Sequence, residues 1–133
     1  MEKGFKQGFH TKYGFVPFSQ TYVYEAVDHT KPAEKAMYTK YMQGTSLLLE
    51  LPTVIVDARI GPDKNYDLLT EFTCHEAVGI VTTELRFSSR YPELSADTLE
   101  YMKKKALEVG IDQKIIDDLY VVDHSKCGSN SFL

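Results

Sequence analysis

An all-β domain of antiparallel strands with one C-terminal α-helix is the fold class that three features of this sequence predict. Several stretches rich in aromatic and β-branched residues alternate with period two. Gly- or Pro-containing turns separate them at short intervals. A single amphipathic, well-capped helical stretch comes late, in "RYPELSADTLEYMKKKALEVGI". The 133 residues are the length of one domain. With 43% hydrophobic and 26% charged residues, the chain has the composition of a packed protein rather than a disordered one.

Residues 1–20 are rich in Gly, Phe and Lys, and Gly4, Gly8 and Gly14 interrupt any regular period, so they read as an N-terminal arm or a poorly specified strand. From Thr21 the pattern tightens. "TYVYEAVD" sets Tyr22, Tyr24 and Ala26 on one face and Val23, Glu25 and Val27 on the other. "HTKPAEK" breaks the strand, since Pro32 has no N–H to give a ladder and restricts Lys31 before it. "AMYTKYM" resumes with Met37, Thr39 and Tyr41 on one face, completing a hairpin with a longer loop. The run Leu47, Leu48, Leu49, Leu51 is either a strand or a loop cap, ended by Pro52. "TVIVDARI", "YDLLTEFTC" and "IVTTELRFSSR" are three further strands, joined by "GPDKN" and "HEAVG" into an antiparallel meander.

The helix falls at about 95–109. Ser95 is placed to cap it, Asp97 and Glu100 suit its positive end, and Gly110 is placed to stop it in a left-handed conformation. Leu99, Met102, Ala106 and Val109 form its apolar stripe, and Lys103, Lys104 and Lys105 its solvated face. "DQKIIDDL" adds a helical turn, "LYVVD" one more short strand, and residues 128–133 a mobile tail.

A net charge of −4 leaves no basic field to recruit nucleic acid. No apolar run is long enough to span a membrane. The N-terminus has no apolar segment of signal-peptide type, which places the chain, taken at face value, in the cytoplasm. Cys74 and Cys127 fit no zinc spacing and are either free thiols or one disulfide. His10, His29, His75 and His124 do not have the spacing of a metal site, and Cys74 and His75, as strand neighbours, point to opposite faces.

The order of elements resembles the lipocalins, antiparallel up-and-down barrels that hold a small apolar molecule. The resemblance is carried by Arg90, Pro92 and Leu94 after the last long strand, then a helix, then Gly110, Ile111 and Asp112. "NYDLLTEFTC" and "VVDHSKC" are similar to a strand and a tail, each ending in Cys, of the apolipoprotein D and insect bilin-binding group. The resemblance covers residues 21–127 and implies an extracellular carrier. The chain departs from it in having no Trp, hence no Gly-x-Trp first strand, and no cysteine before Cys74. These departures imply a barrel incomplete at its N-terminus, in which Arg90 meets Phe5, Phe9 or Phe15 in place of a Trp, or else is exposed.

A site of that type is a cavity lined by apolar and aromatic side chains. Alternation nominates Tyr22, Tyr24, Met37 and Tyr41 from the first hairpin as inward residues. From the meander it nominates Val54, Val56, Leu68, Phe72, Leu85 and Phe87. They line a ligand cavity or simply fill a core. The implied ligand is a retinoid, fatty acid, steroid, carotenoid or bilin, with no cofactor or metal required and no catalytic residue. Lys40 and Arg86 are candidates for a ligand's acidic groups, although both read as outward strand positions. The alternatives are a partial barrel that forms a homodimer through an open sheet edge, or a lipocalin-like isomerase or lyase using His75 or His29.

Overall fold

The computed structural model describes residues 4–13, 16–27, 30–31, 36–44, 50–122 and 124, with side chains described outside 9–19. The fold is all-β with antiparallel pairing, followed by helices, and the chain divides into two compact units, Met1–Thr53 with Asp123–Leu133, and Val54–Val122. Leu47, Leu48, Leu49, His29, Pro32, Phe15, Cys127 and the tail lie outside the described residues.

The first unit holds β1 (Gly4–Tyr13), β2 (Val16–Ala26) and β3 (Met37–Met42), paired antiparallel in chain order. The glycine-rich front end is therefore a full strand. Its ten residues pair with β2 from Gly4↔Glu25 to Tyr13↔Val16, and β2 starts five residues before the point where alternation becomes regular in the sequence. Backbone pairing with a neighbour substitutes here for a strong side-chain pattern.

β4 (Leu51–Ile60) leads into the second unit, where β5 (Tyr66–Ala77) lies between β4 and β6 (Ile80–Ser89). In the β4–β5 turn Asp63 accepts from the Asn65 side chain (3.0 Å) and backbone N–H (3.1 Å), and Lys64 takes a positive φ of 63°. Those two hydrogen bonds, the side-chain one foremost, hold the Asp63 carboxyl below its ordinary value. β5 and β6 meet at Ala77↔Ile80 across a two-residue turn in which Val78 (φ 54°) and Gly79 (φ 78°) are both left-handed. That is the geometry of a type I′ hairpin turn, which favours Asn or Gly at its first position and strains a β-branched side chain. Val78→Asn is expected to raise the unfolding free energy by about 1 kcal/mol, measured by urea titration.

α1 (Ala96–Glu108) begins at Ser95, whose hydroxyl accepts from the Thr98 N–H at 3.1 Å. At its other end the Gly110 N–H bonds to Leu107 and the Ile111 N–H to Ala106, with Gly110 at φ 95°. This is a Schellman stop. It turns Ile111 under the helix, where it is buried, and leaves Val109 as the exposed capping residue. The apolar stripe is therefore Met102 and Ala106, with Leu99 half-buried, and Ile111 takes the place expected for Val109. α2 (Gln113–Asp117) follows, capped by Asp112, which accepts from the Lys114 N–H at 2.8 Å.

The core of the second unit is Ala106, Ile111 and Ile116, packed against Val56, Phe72, Leu85, Phe87, Ile115 and Leu119. The helices are thus seated on one face of the β4–β6 meander. Tyr120, Val121 and Val122 are irregular and exposed, contrary to the strand expected at "LYVVD". Their β-propensity has no sheet neighbour among the described residues to act on.

Candidate functional site

The register of the first unit decides which side chains meet. Phe5 lies across from Tyr24, and Tyr24 lies across from Lys40. Directly paired residues share a sheet face, so Phe5, Gln7, Tyr22, Tyr24, Tyr38 and Lys40 stand on one side. Met37 and Tyr41, expected beside Tyr22 and Tyr24, stand on the reverse side. There the Tyr41 hydroxyl donates to Glu25 at 2.6 Å, and that carboxylate holds the phenol above its ordinary pKa. The face of β3 that joins Tyr22 and Tyr24 is set by the connection from β2, whose length fixes parity, and not by β3's own pattern.

On the shared face Phe5 stacks on Tyr24 with ring centroids 4.2 Å apart and meets Tyr38 edge-on at 5.4 Å. The Tyr24 hydroxyl donates to Gln7 Oε1 at 3.0 Å. Lys40 Nζ lies 5.2 Å from the Tyr22 ring centroid and 5.7 Å from that of Tyr24. These are cation–π distances. Lys40 is 1% exposed, which corrects its reading as an outward surface charge. A lysine is almost never fully buried without a specific electrostatic reason. The face therefore brings stacked aromatic rings together with a buried ammonium and an amide.

In the second unit the residues expected to face inward from the meander have a different setting. Val56, Phe72, Leu85 and Phe87 pack against the core under α1 and α2. Leu68 is buried and Val54 half-buried. Phe72 lies across from Leu85 and Thr70 from Phe87, which places Leu68, Thr70, Phe72, Leu85 and Phe87 on that helix-covered face. Thr70 is buried there, and its hydroxyl has no hydrogen-bond partner among the described residues. An unmet hydroxyl in an apolar layer is costly, so Thr70→Val is expected to stabilise the protein by about 1 kcal/mol, measured as a higher urea midpoint at unchanged slope.

The opposite face of the same strands is polar. Glu71 is 0% exposed and pairs with Arg86 at 3.6 Å, and Arg86 reaches Glu84 at 3.1 Å. Glu71↔Arg86 and Thr73↔Glu84 are cross-strand neighbours, so this ion cluster follows from register. Arg86 stands on the face opposite Leu85 and Phe87, as its strand position suggests, and belongs to this cluster.

Arg90 turns to the β4–β5 turn: its Nε and Nη2 donate to the Tyr66 carbonyl at 3.3 and 3.0 Å, and it lies 3.5 Å from Asp67 and 3.8 Å from Asp63. The guanidinium fork fits a carbonyl flanked by carboxylates better than a point charge would. Cys74 is a free, exposed thiol. His75 is half-buried and His124 exposed. Among the described residues no group of three His, Cys, Asp or Glu side chains is placed to hold a metal ion, and no helix is long and apolar enough to cross a membrane.

Phe5, Gln7, Tyr38 and the burial of Lys40 are what sequence reasoning missed. Tyr38 sits beside the expected Met37, on the parity not chosen, and Phe5 is in a stretch without regular alternation. No protein-family model, curated protein or solved structure matches the chain.

Proposed function

We propose that this chain binds and carries a small apolar molecule, and that the ligand rests on the aromatic face of the first unit. The observation that supports this reading is the buried Lys40 ammonium over Tyr22 and Tyr24 beside the Phe5–Tyr24–Tyr38 ring cluster. Aromatic rings with an ammonium, a phenol and an amide converging on them are the groups that orient an apolar molecule carrying one polar end. The same lysine favours ligands with an acidic end: a fatty acid, a retinoid acid or a bilin with its propionates. In this reading the protein is a lipocalin-like carrier and not an enzyme, and the helix-covered residues Val56, Phe72, Leu85 and Phe87 support the fold.

The chain has nine Tyr and no Trp, so its emission is that of tyrosine, with Tyr22, Tyr24 and Tyr38 contributing from the site. Titration with an acid and its matching alcohol, such as a retinoid acid and retinol, is expected to give saturable quenching with the acid bound more tightly. Lys40→Met is expected to weaken the acid by roughly tenfold and leave the alcohol nearly unchanged. Absence of quenching by either ligand in a folded, monodisperse sample overturns the proposal.

A further inference from the structure

We infer that two copies of this chain pair edge to edge through residues 80–83 of β6. Among the described residues β6 has β5 as its single neighbouring strand, so its other side presents backbone groups that no described strand pairs. Proteins normally protect such edges with charge. β1, also bonded to one neighbour among the described strands, carries Lys6 and Lys12 along its length. The first half of β6 carries no such protection. From Ala77 to Thr83 the sequence "AVGIVTT" has no charged residue and no proline, and after the turn it is entirely β-branched. Its side chains are also uncovered: Val78 is 100% exposed, Ile80 69% and Val81 60%, and Thr82 and Thr83 are exposed.

The hairpin fixes which backbone groups face outward. Across a two-residue turn the closing pair Ala77↔Ile80 is hydrogen-bonded, so the alternation leaves Val81 and Thr83 pointing their N–H and C=O groups away from β5. Two such edges related by a two-fold axis pair with Val81 opposite Thr83 of the partner subunit and Thr82 opposite Thr82 of the partner subunit. In that register Glu84 falls opposite Ile80 of the partner subunit, so no like charges meet. The stretch is thus compatible with itself and carries no charge that selects an acidic or basic peptide. These two properties favour a second copy over an unrelated strand. The left-handed Val78 at the head of the strand continues the exposed apolar strip, at a turn position where Asn or Gly is the unstrained choice.

The contact is a few residues long, so it forms a weak, concentration-dependent dimer. Sedimentation equilibrium from micromolar to millimolar concentration tests it, together with amide hydrogen exchange at the two ends of that range. Wild type is expected to shift from monomer to dimer, with the Val81 and Thr83 amides becoming protected only at high concentration. Val81→Lys and Thr83→Lys both lie at exposed positions. Each is expected to weaken the dimer by roughly tenfold or more, because each places two lysines at one symmetric contact. A monomer throughout the range, or a dimer indifferent to both lysines, overturns the inference. Neither outcome bears on ligand binding in the first unit, which the tyrosine titration reads separately.

Discussion

Ile116→Ala is expected to lower the unfolding free energy by about 2–5 kcal/mol, the largest single effect of an apolar truncation in the second unit. Ile116 is 1% exposed and forms the cluster with Ala106 and Ile111 that joins both helices to the meander. α2 has five residues, far fewer than a helix needs to persist by itself. Its place therefore depends on packing, and on the Schellman stop that delivers Ile111 beside Ala106. Truncation leaves a void among Val56, Phe72, Leu85 and Phe87 that rigid strands do not close. The measurement is a lower urea midpoint, accompanied by faster amide exchange across α1 and α2. Ile116→Val, which removes one methylene, is expected to cost about 1 kcal/mol and so calibrates the series.

Arg86→Met is expected to cost about 3 kcal/mol, through electrostatics and not volume. Glu71 is fully buried, and the Arg86 guanidinium lies 3.6 Å from it while also engaging Glu84. Taking the cation away leaves a buried carboxylate without the neighbour that register places across from it. Methionine keeps most of the aliphatic stem, so the loss reports on charge. The double variant Glu71→Leu/Arg86→Met is expected to recover most of the stability, since an apolar pair of similar volume carries no desolvation cost. Denaturant titration of the two single variants and the double variant measures the coupling. Additive losses contradict a specific Glu71–Arg86 interaction.

Local signals in this sequence were legible, and parity between elements was not. The three strands of the meander announce themselves by alternation bounded by turn residues, and β4, β5 and β6 occupy those stretches. Ser95 and Gly110 mark the ends of α1 because capping is a property of a few consecutive residues. Val109 departs from the expected stripe because a Schellman turn ends the 3.6-residue period and brings the next apolar residue, Ile111, to the core. Residues 120–122 have strand composition but no neighbouring edge among the described residues, and composition alone does not pair a backbone. Lys40 is the most instructive case. Its one-residue neighbour Tyr41 is the better apolar candidate by type, yet the register Tyr24↔Lys40 puts the lysine on the aromatic face. A one-residue change in parity reverses every side chain of a strand, and the length of the connection that decides it has no hydrophobic signature.

We propose that a ligand rests on the aromatic face with Lys40. Two-dimensional NMR with an apolar acid added to saturation tests it most directly, since it reads each residue separately. The largest shift changes are expected at Phe5, Tyr22, Tyr24, Tyr38 and Lys40, with Val56, Phe72, Leu85 and Phe87 little moved. Changes concentrated on those four meander residues, or none anywhere while the protein stays folded, contradict the claim.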